Sequence, residues 1–224
     1  MRRLAVVFIG LSVCLWAKEP KQDVQATTTQ RAELGPGGAV RIDGSLGELD
    51  IQGWDHAEVE ITLTKSVWRS SHDEAARTLD SVRVKADRKG ADLEITTLFP
   101  SRNPITRPLR GKTVVSLQYL IKVPHDARLV IHHDGGDVRL QGITGAIEAT
   151  VGRGDIELRL PDTNSYSIDA KCRVGGVTSD FGGGHHGRLV VGERFDHDAE
   201  SSGQRAYLRV GIGGIQILKA AGTI

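Results

Sequence analysis

At 224 residues, with 27 glycines and only 4% aromatic residues, the chain is long enough for one sizeable β domain with a substantial core, or for two small ones. We take one continuous domain. Its formal charge of +1, from 29 basic and 28 acidic residues, excludes the basic excess that nucleic-acid binding needs to neutralise phosphates. The scarcity of Trp, Tyr and Phe leaves few of the stacking platforms used by many sugar and base sites, so glycine must shape the fold.

Arg2 and Arg3, the short apolar run Leu4 to Val13 and the small residue Ala17 follow the order of a secretory signal. Residues 1–17 are therefore expected to be removed and the protein to be exported, to the periplasm or the cell surface. The run is too short to span a bilayer comfortably, and no second run of ~20 apolar residues follows it. Cleavage would leave 27 basic against 28 acidic residues. Cys14 raises a competing lipoprotein reading, in which it is acylated, but Val13 stands where such processing favours a small residue. On either reading Cys172 is the other cysteine, and no intrachain disulfide is expected.

Residues 18–33, with Thr27-Thr28-Thr29 and no periodic apolar pattern, read as a polar spacer, and the folded domain as 34–224. From Leu34 apolar and polar residues alternate: Val40 and Ile42, Leu49 and Ile51, then Val59, Ile61 and Leu63. Period two predicts half-buried strands. One helix is expected over 71–80, where Ser71 and Glu74 have capping-box spacing ahead of Ala75, Ala76 and Leu79. Val82 and Val84 then pair with Leu93 and Ile95 across the turn Arg88-Lys89-Gly90. Pro100, Pro104 and Pro108 mark an exposed loop whose Arg102, Arg107, Arg110 and Lys112 are a candidate anion patch, or more simply a solvated charged loop. Val115, Leu117, Tyr119, Ile121 and Val123 make the longest alternating run, which Pro124 ends.

A template follows: glycine, any residue, apolar, polar, apolar. It recurs at Gly136-Asp137-Val138-Arg139-Leu140, Gly145-Ala146-Ile147-Glu148-Ala149 and Gly154-Asp155-Ile156-Glu157-Leu158, whose glycines are nine residues apart. Gly47-Glu48-Leu49-Asp50-Ile51 and Gly214-Ile215-Gln216-Ile217 repeat it, and Gly176-Val177-Thr178 does so less well. A fixed short period predicts a β-solenoid or trough-like stack of short strands, each unit adding one strand and a turn with glycine at the corner. The alternative is an antiparallel β-roll or sandwich.

These segments, with the Val123-Pro124 strand end, Leu129-Val130-Ile131, Trp54-Asp55 and Val59-Glu60-Ile61, resemble a large bacterial family of exported proteins whose domain carries the provisional name of adhesin and has no known function. The resemblance runs over nearly all of residues 37 to 218. It implies a β-helical or trough-like fold at the cell envelope, and brings no catalytic motif.

The chemistry is sparse. Calcium-binding nonapeptides need Gly-Gly-x-Gly-x-Asp in each turn, whereas Gly135-Gly136-Asp137 has Asp directly after glycine and Ala146 fills the middle repeat. His132-His133-Asp134, His185-His186 and Asp196-His197-Asp198 are the remaining metal candidates. Adjacent histidines on a strand point to opposite faces, and Gly182 to Gly184 make the second pair read as a flexible loop, so surface histidine is the expected account. Asp137 and Asp155, eighteen residues apart, could stack across repeats as carboxylates of a glycan-processing β-helix, although Asp is also favoured at glycine turns for local hydrogen bonding. Cys172, in the alternating series Tyr166, Ile168, Ala170, Cys172 and Val174, reads as an inert core thiol on the apolar face. Trp54, Trp68 and Tyr119 are spread apart and read as packing residues.

The reading is a non-catalytic, adhesin-like envelope domain presenting a sheet face to an envelope protein, a glycan or a second copy. No catalytic residue, metal ligand, cofactor or nucleic-acid partner is expected. The alternative is a glycan-processing enzyme using Asp137 and Asp155.

Overall fold

The structure, a computed structural model, describes residues 22–69, 72–99, 115–160, 166–187, 192–199 and 203–220. The chain opens with β1 (Gln22–Glu33), β2 (Ala39–Leu46), β3 (Glu48–Trp54) and β4 (Glu58–Arg69), then runs through α1 (His72–Asp80) into β5 (Arg83–Lys89) and β6 (Asp92–Leu98). Next come β7 (Val115–Pro124), β8 (Arg128–Gly135), β9 (Val138–Gln141), β10 (Ile147–Arg153) and β11 (Ile156–Leu160). The last part holds β12 (Tyr166–Val174), β13 (Val177–Ser179), β14 (Gly184–Gly187), β15 (Glu193–His197), β16 (Gln204–Ile212) and β17 (Ile215–Lys219).

These strands form two mixed sheets that do not close into a barrel. The front sheet has the order β1-β4-β7-β3-β9-β11-β17-β13, and the back sheet β14-β15-β12-β16-β10-β8-β2-β6-β5. Period-two alternation sends one set of side chains from each sheet into a shared core, so that β10 buries Ile147, Ala149 and Val151 while Glu148 faces out. The middle of both sheets is parallel, and β1, β4, β5, β14 and β15 add antiparallel ladders at the ends.

In the parallel middle, the chain passes five times from back to front through a glycine corner: β2 to β3, β8 to β9, β10 to β11, β12 to β13 and β16 to β17. The spatial order of these pairs is not their chain order, because β16–β17 inserts between β10–β11 and β12–β13. The nine-residue spacing resolves into two kinds of corner. Gly136 and Gly154 occupy the back-to-front corner with φ of +117° and +134°, whereas Gly145 lies on the return path without a positive φ.

The expected spacer over 18–33 is corrected over 22–33 by β1, every residue of which is in register with β4 from Gln22↔Arg69 to Glu33↔Glu58, while 18–21 lie outside the described residues. The sequence hides it because its own apolar face is thin: Val24 and Ala26 pack on a small cluster of Val67, Ala75 and Leu79, and Ala32 on the main core. Cross-strand pairs hold the rest, with hydroxyl contacts Thr27–Thr64 at 3.1 Å and Thr29–Thr62 at 3.0 Å, and Arg31 between Glu58 and Glu60. At 12 residues each, β1 and β4 exceed the 10 of β7. Helix α1 falls where expected. Its C-terminal carbonyl of Leu79, and that of Val82, accept hydrogen bonds from the buried Lys65 ammonium at 2.8 and 3.1 Å, placing a cation where the helix dipole favours one. Ser71 and the basic loop with Arg102, Arg107, Arg110 and Lys112 lie outside the described residues, as do the leader and Cys14.

Candidate functional site

Asp137 and Asp155 do stack on neighbouring pairs, and both carboxylates face backbone. Asp137 Oδ1 accepts from the Asp155 amide at 3.0 Å, and Asp155 Oδ1 accepts from the Gly214 amide at 2.6 Å. Each acid therefore stitches its corner to the next one along the stack, the local bonding that favours Asp at turns. The glycine between is required by space as well as by φ: a Cβ on Gly154 would lie 2.1 Å from the Gly136 carbonyl oxygen.

The histidine pairs separate as strand geometry demands. His132 points outward to Asp43, with Nδ1–Oδ1 at 2.9 Å. His133 is buried. Its Nε2–H donates to the Gly47 carbonyl at 2.9 Å, which leaves Nδ1 to accept the Ser45 hydroxyl at 2.6 Å, a fully used neutral imidazole. Burial pushes its pKa down, against the opposing pull of the Gly47 carbonyl. His185-His186, read from sequence as a flexible loop, forms β14, paired antiparallel to β15. There His185 meets Glu193 at 2.9 Å and His186 meets Asp196 at 3.1 Å, cross-strand partners that proximity in sequence could not reveal. Among the described residues no group of three or more His, Cys, Asp or Glu converges. Cys172 is a free, buried thiol whose Sγ–H donates to the Gly213 carbonyl at 3.0 Å, and burial pushes its pKa up.

Two outward features remain. The first is apolar: Leu46, Leu98, Phe99, Val174 and Ile212 are each 42–47% exposed. Four of them end the parallel strands β2, β6, β12 and β16, and Phe99 follows β6, so all five lie along one edge of the back sheet.

The second is polar and lies on the outer face of the same sheet. Arg205, Tyr207 and Arg209 alternate along β16 and share that face. Arg209 is fixed: Nη1 donates to the carbonyls of Asp169 and Leu208 at 2.8 Å, Nη2 pairs with Asp169 Oδ2 at 2.8 Å, and the guanidinium lies 3.6 Å from the centre of the Tyr207 ring. Burial would raise the Asp169 carboxyl, but Arg209, with Arg194 and Arg205 behind it, holds it below the usual carboxylate value. Its Oδ1, buried without a hydrogen bond, faces Arg194 at 3.4 Å. Beside Tyr207 opens a shallow cavity of about 570 Å³ lined by Arg128, Leu129, Ala146, Ile147, Glu148 and Arg205. This cluster was missed in the sequence. The signal was there in the alternation Arg205, Tyr207, Arg209, but its meaning depends on Asp169, Glu148 and Arg128 arriving on neighbouring strands.

Trp54 is the last residue of β3, with His56 at 4.5 Å and the Lys122 ammonium at 5.5 Å from its ring, and Tyr119 is buried with its hydroxyl 2.9 Å from that of Thr97. The Trp68 side chain lies outside the described residues.

No family model matches the chain, and no curated protein matches it. Among solved structures, the fold is similar to that of a protein from Clostridium sporogenes provisionally named a cell adhesion protein, at 15% identity and a TM-score of 0.51, over 87% of this chain and 100% of that one. A Bacteroides fragilis protein provisionally named an adhesin is 11% identical over 86% of this chain and 97% of its own, with a TM-score of 0.31. The first likeness bears on the fold class, an all-β arrangement. The second is too distant to bear on it, and neither bears on activity. Among the described residues no helix is long and apolar enough to cross a membrane.

Proposed function

We propose that the chain is an exported, non-catalytic binding domain of the bacterial cell envelope, adhesin-like, built as a two-sheet solenoid that presents a rigid face to a partner. The observation that carries this is the outer face of the back sheet, where Asp169 locks Arg209 against Tyr207 beside an open cavity. Groups held in place before a ligand arrives lose little freedom on binding, which is what a recognition surface on parallel ladders offers. The carboxylates Asp137 and Asp155 support the same reading, since each has an oxygen engaged by backbone. The signal-like leader and the resemblance to exported adhesin-named proteins support the envelope address.

Incubation of the mature protein with envelope polysaccharides tests this, with binding expected and no product formed. Turnover lost on Asp137→Asn or Asp155→Asn would overturn it in favour of a glycan-processing enzyme. Intact mass of the protein from its native cell is expected to place the N-terminus at or close to Lys18. A diacylglyceryl group on Cys14 would mean a lipoprotein instead, and retention of Met1 would remove the argument for export.

The exposed apolar edge favours a second mode, self-association. Sedimentation should then show a concentration-dependent dimer that Ile212→Ser weakens.

A further inference from the structure

The cavity beside Tyr207 has a construction that the register explains. Glu148 is aligned with Tyr207 on one side and with Val130 on the other. Two residues earlier come Arg205 on β16, Arg128 at the start of β8 and Ala146, which immediately precedes β10, and all three line the cavity. Ala146 is the small member of that row. Its methyl leaves the floor of the cavity open between two long guanidinium-bearing arms, and Tyr207 and Glu148 form the adjoining wall. Its volume, about 570 Å³, falls within the roughly 300–1,000 Å³ of small-molecule sites.

The two guanidiniums of this row act on carboxylates only at a distance, Arg128 helping to lower the Asp92 carboxyl and Arg205 that of Asp169. Arg209 and Asp169 satisfy one another, whereas the side chains of Arg128, Arg205 and Glu148 make no hydrogen bond or ion pair among the described residues. Arg205 lies 5.9 Å from the Tyr207 ring centre, near the cavity. Two guanidiniums at one opening, neither hydrogen-bonded among the described residues, match a carboxylate, whose two oxygens accept the fork of N–H donors. The single Glu148 carboxylate is an acceptor for hydroxyls and sets the row's formal charge at one net positive, which balances one carboxylate per bound sugar. The immobilised Tyr207 ring adds an apolar wall with a polar rim, suited to the C–H face of a pyranose.

We propose that this cavity binds a hexuronic acid residue, its carboxylate between Arg128 and Arg205, its ring beside Tyr207 and a hydroxyl on Glu148. The proposal rests on the binding reading above and names the ligand class for that face. The acid reaches the site either within a polymer or as a free sugar, and the shared chemistry is a pyranose bearing one carboxylate.

Calorimetric titration of the full mature chain with polygalacturonate, galacturonic acid and neutral dextran distinguishes the sources. We expect polygalacturonate to bind, dextran not to bind, and high salt to weaken the complex through screening. Monomer binding as tightly as polymer, per residue, would assign a free sugar. Arg205→Ala should weaken binding by roughly tenfold or more, as loss of a charge-assisted contact does. Ala146→Gln, which keeps every charge and fills the floor, should weaken it similarly, and thermal melts of both variants check that they remain folded. Failure of polygalacturonate and galacturonic acid to bind, equal binding of dextran, or wild-type affinity in both folded variants would overturn the uronic acid site. Binding of a different envelope glycan with neither uronate bound would leave the broader binding reading standing, and turnover of any glycan would remove that reading as well.

Discussion

The two edges of the parallel stack obey different rules. At the edge where back-sheet strands pass to the front, one glycine turns the chain in every layer, and four of the five pack on the backbone of the corner beside them, while Gly47 packs on Leu117 of β7: a Cβ on Gly136 would lie 1.9 Å from the Gly47 carbonyl oxygen, and one on Gly213 would lie 2.1 Å from that of Gly154. At the opposite edge the return paths differ. Pro124 to Ala127 is a short turn, Gly142 to Gly145 is another, and the buried Tyr166 hydroxyl, its pKa pushed up to about 12 by burial, is shared between the carbonyls of Ile143 and Gly145. The strict edge holds the layer spacing. The tolerant edge lets layers join in an order other than chain order, and it is where Arg128, Ala146 and Arg205 open a cavity.

The largest expected effect breaks the strict edge. Gly154→Val combines a positive φ with a backbone clash, and should destabilise by about 4 kcal/mol or abolish folding, as measured by denaturant unfolding. Gly145→Val probes the tolerant edge. There φ is not positive, but a Cβ would meet the Ala127 carbonyl oxygen at 2.2 Å, so a loss above ~1 kcal/mol is expected, smaller than at Gly154. If the two losses are equal, the distinction between the edges fails.

His133 sharpens the comparison through pH, because it ties the strict edge to β2 by way of Ser45 and Gly47. Its folded pKa is depressed, so the unfolded chain takes up the proton first, near pH 6.5. The stabilising contribution is complete above that pH and is lost as pH falls through the folded value. Melts at pH 7.5 and pH 5, each about one unit or more from the reference value, should show a fall that His133→Leu reduces, whatever that variant does to stability at neutral pH. The smallest effect is expected for Glu148→Gln on the exposed face of β10, below ~0.5 kcal/mol in a thermal melt.

Much of the front and back sheets was legible in the sequence because inward residues such as Leu49, Ile51, Ile147 and Val151 alternate at period two, whatever strand lies beside them. The stacking of Asp137 and Asp155 was legible from their spacing, and their structural duty from the preference of Asp for turns. β1 was not, because Thr27 and Thr29 owe their place to Thr64 and Thr62 on a strand far along the chain. Nor was the β14 pairing of His185 and His186, which needs β15 beside it.

The division follows from the range of the interactions. The strands with period-two alternation, the corners at Gly47, Gly136 and Gly154, and helix α1 are set by neighbours a few residues away, through side-chain periodicity and the φ that glycine alone adopts freely, and the sequence by itself determined them. The last two corners fall instead on Gly175 and Gly213, one residue ahead of the Gly176 and Gly214 of the template. The insertion of β16–β17 between β10–β11 and β12–β13 was decided only in three dimensions, and so were the neutral His133 between Ser45 and Gly47 and the cavity lining of Arg205, Ala146 and Arg128. Each depends on which distant strands become neighbours and in what register, and a pairing choice of that kind leaves no periodic trace in any one segment.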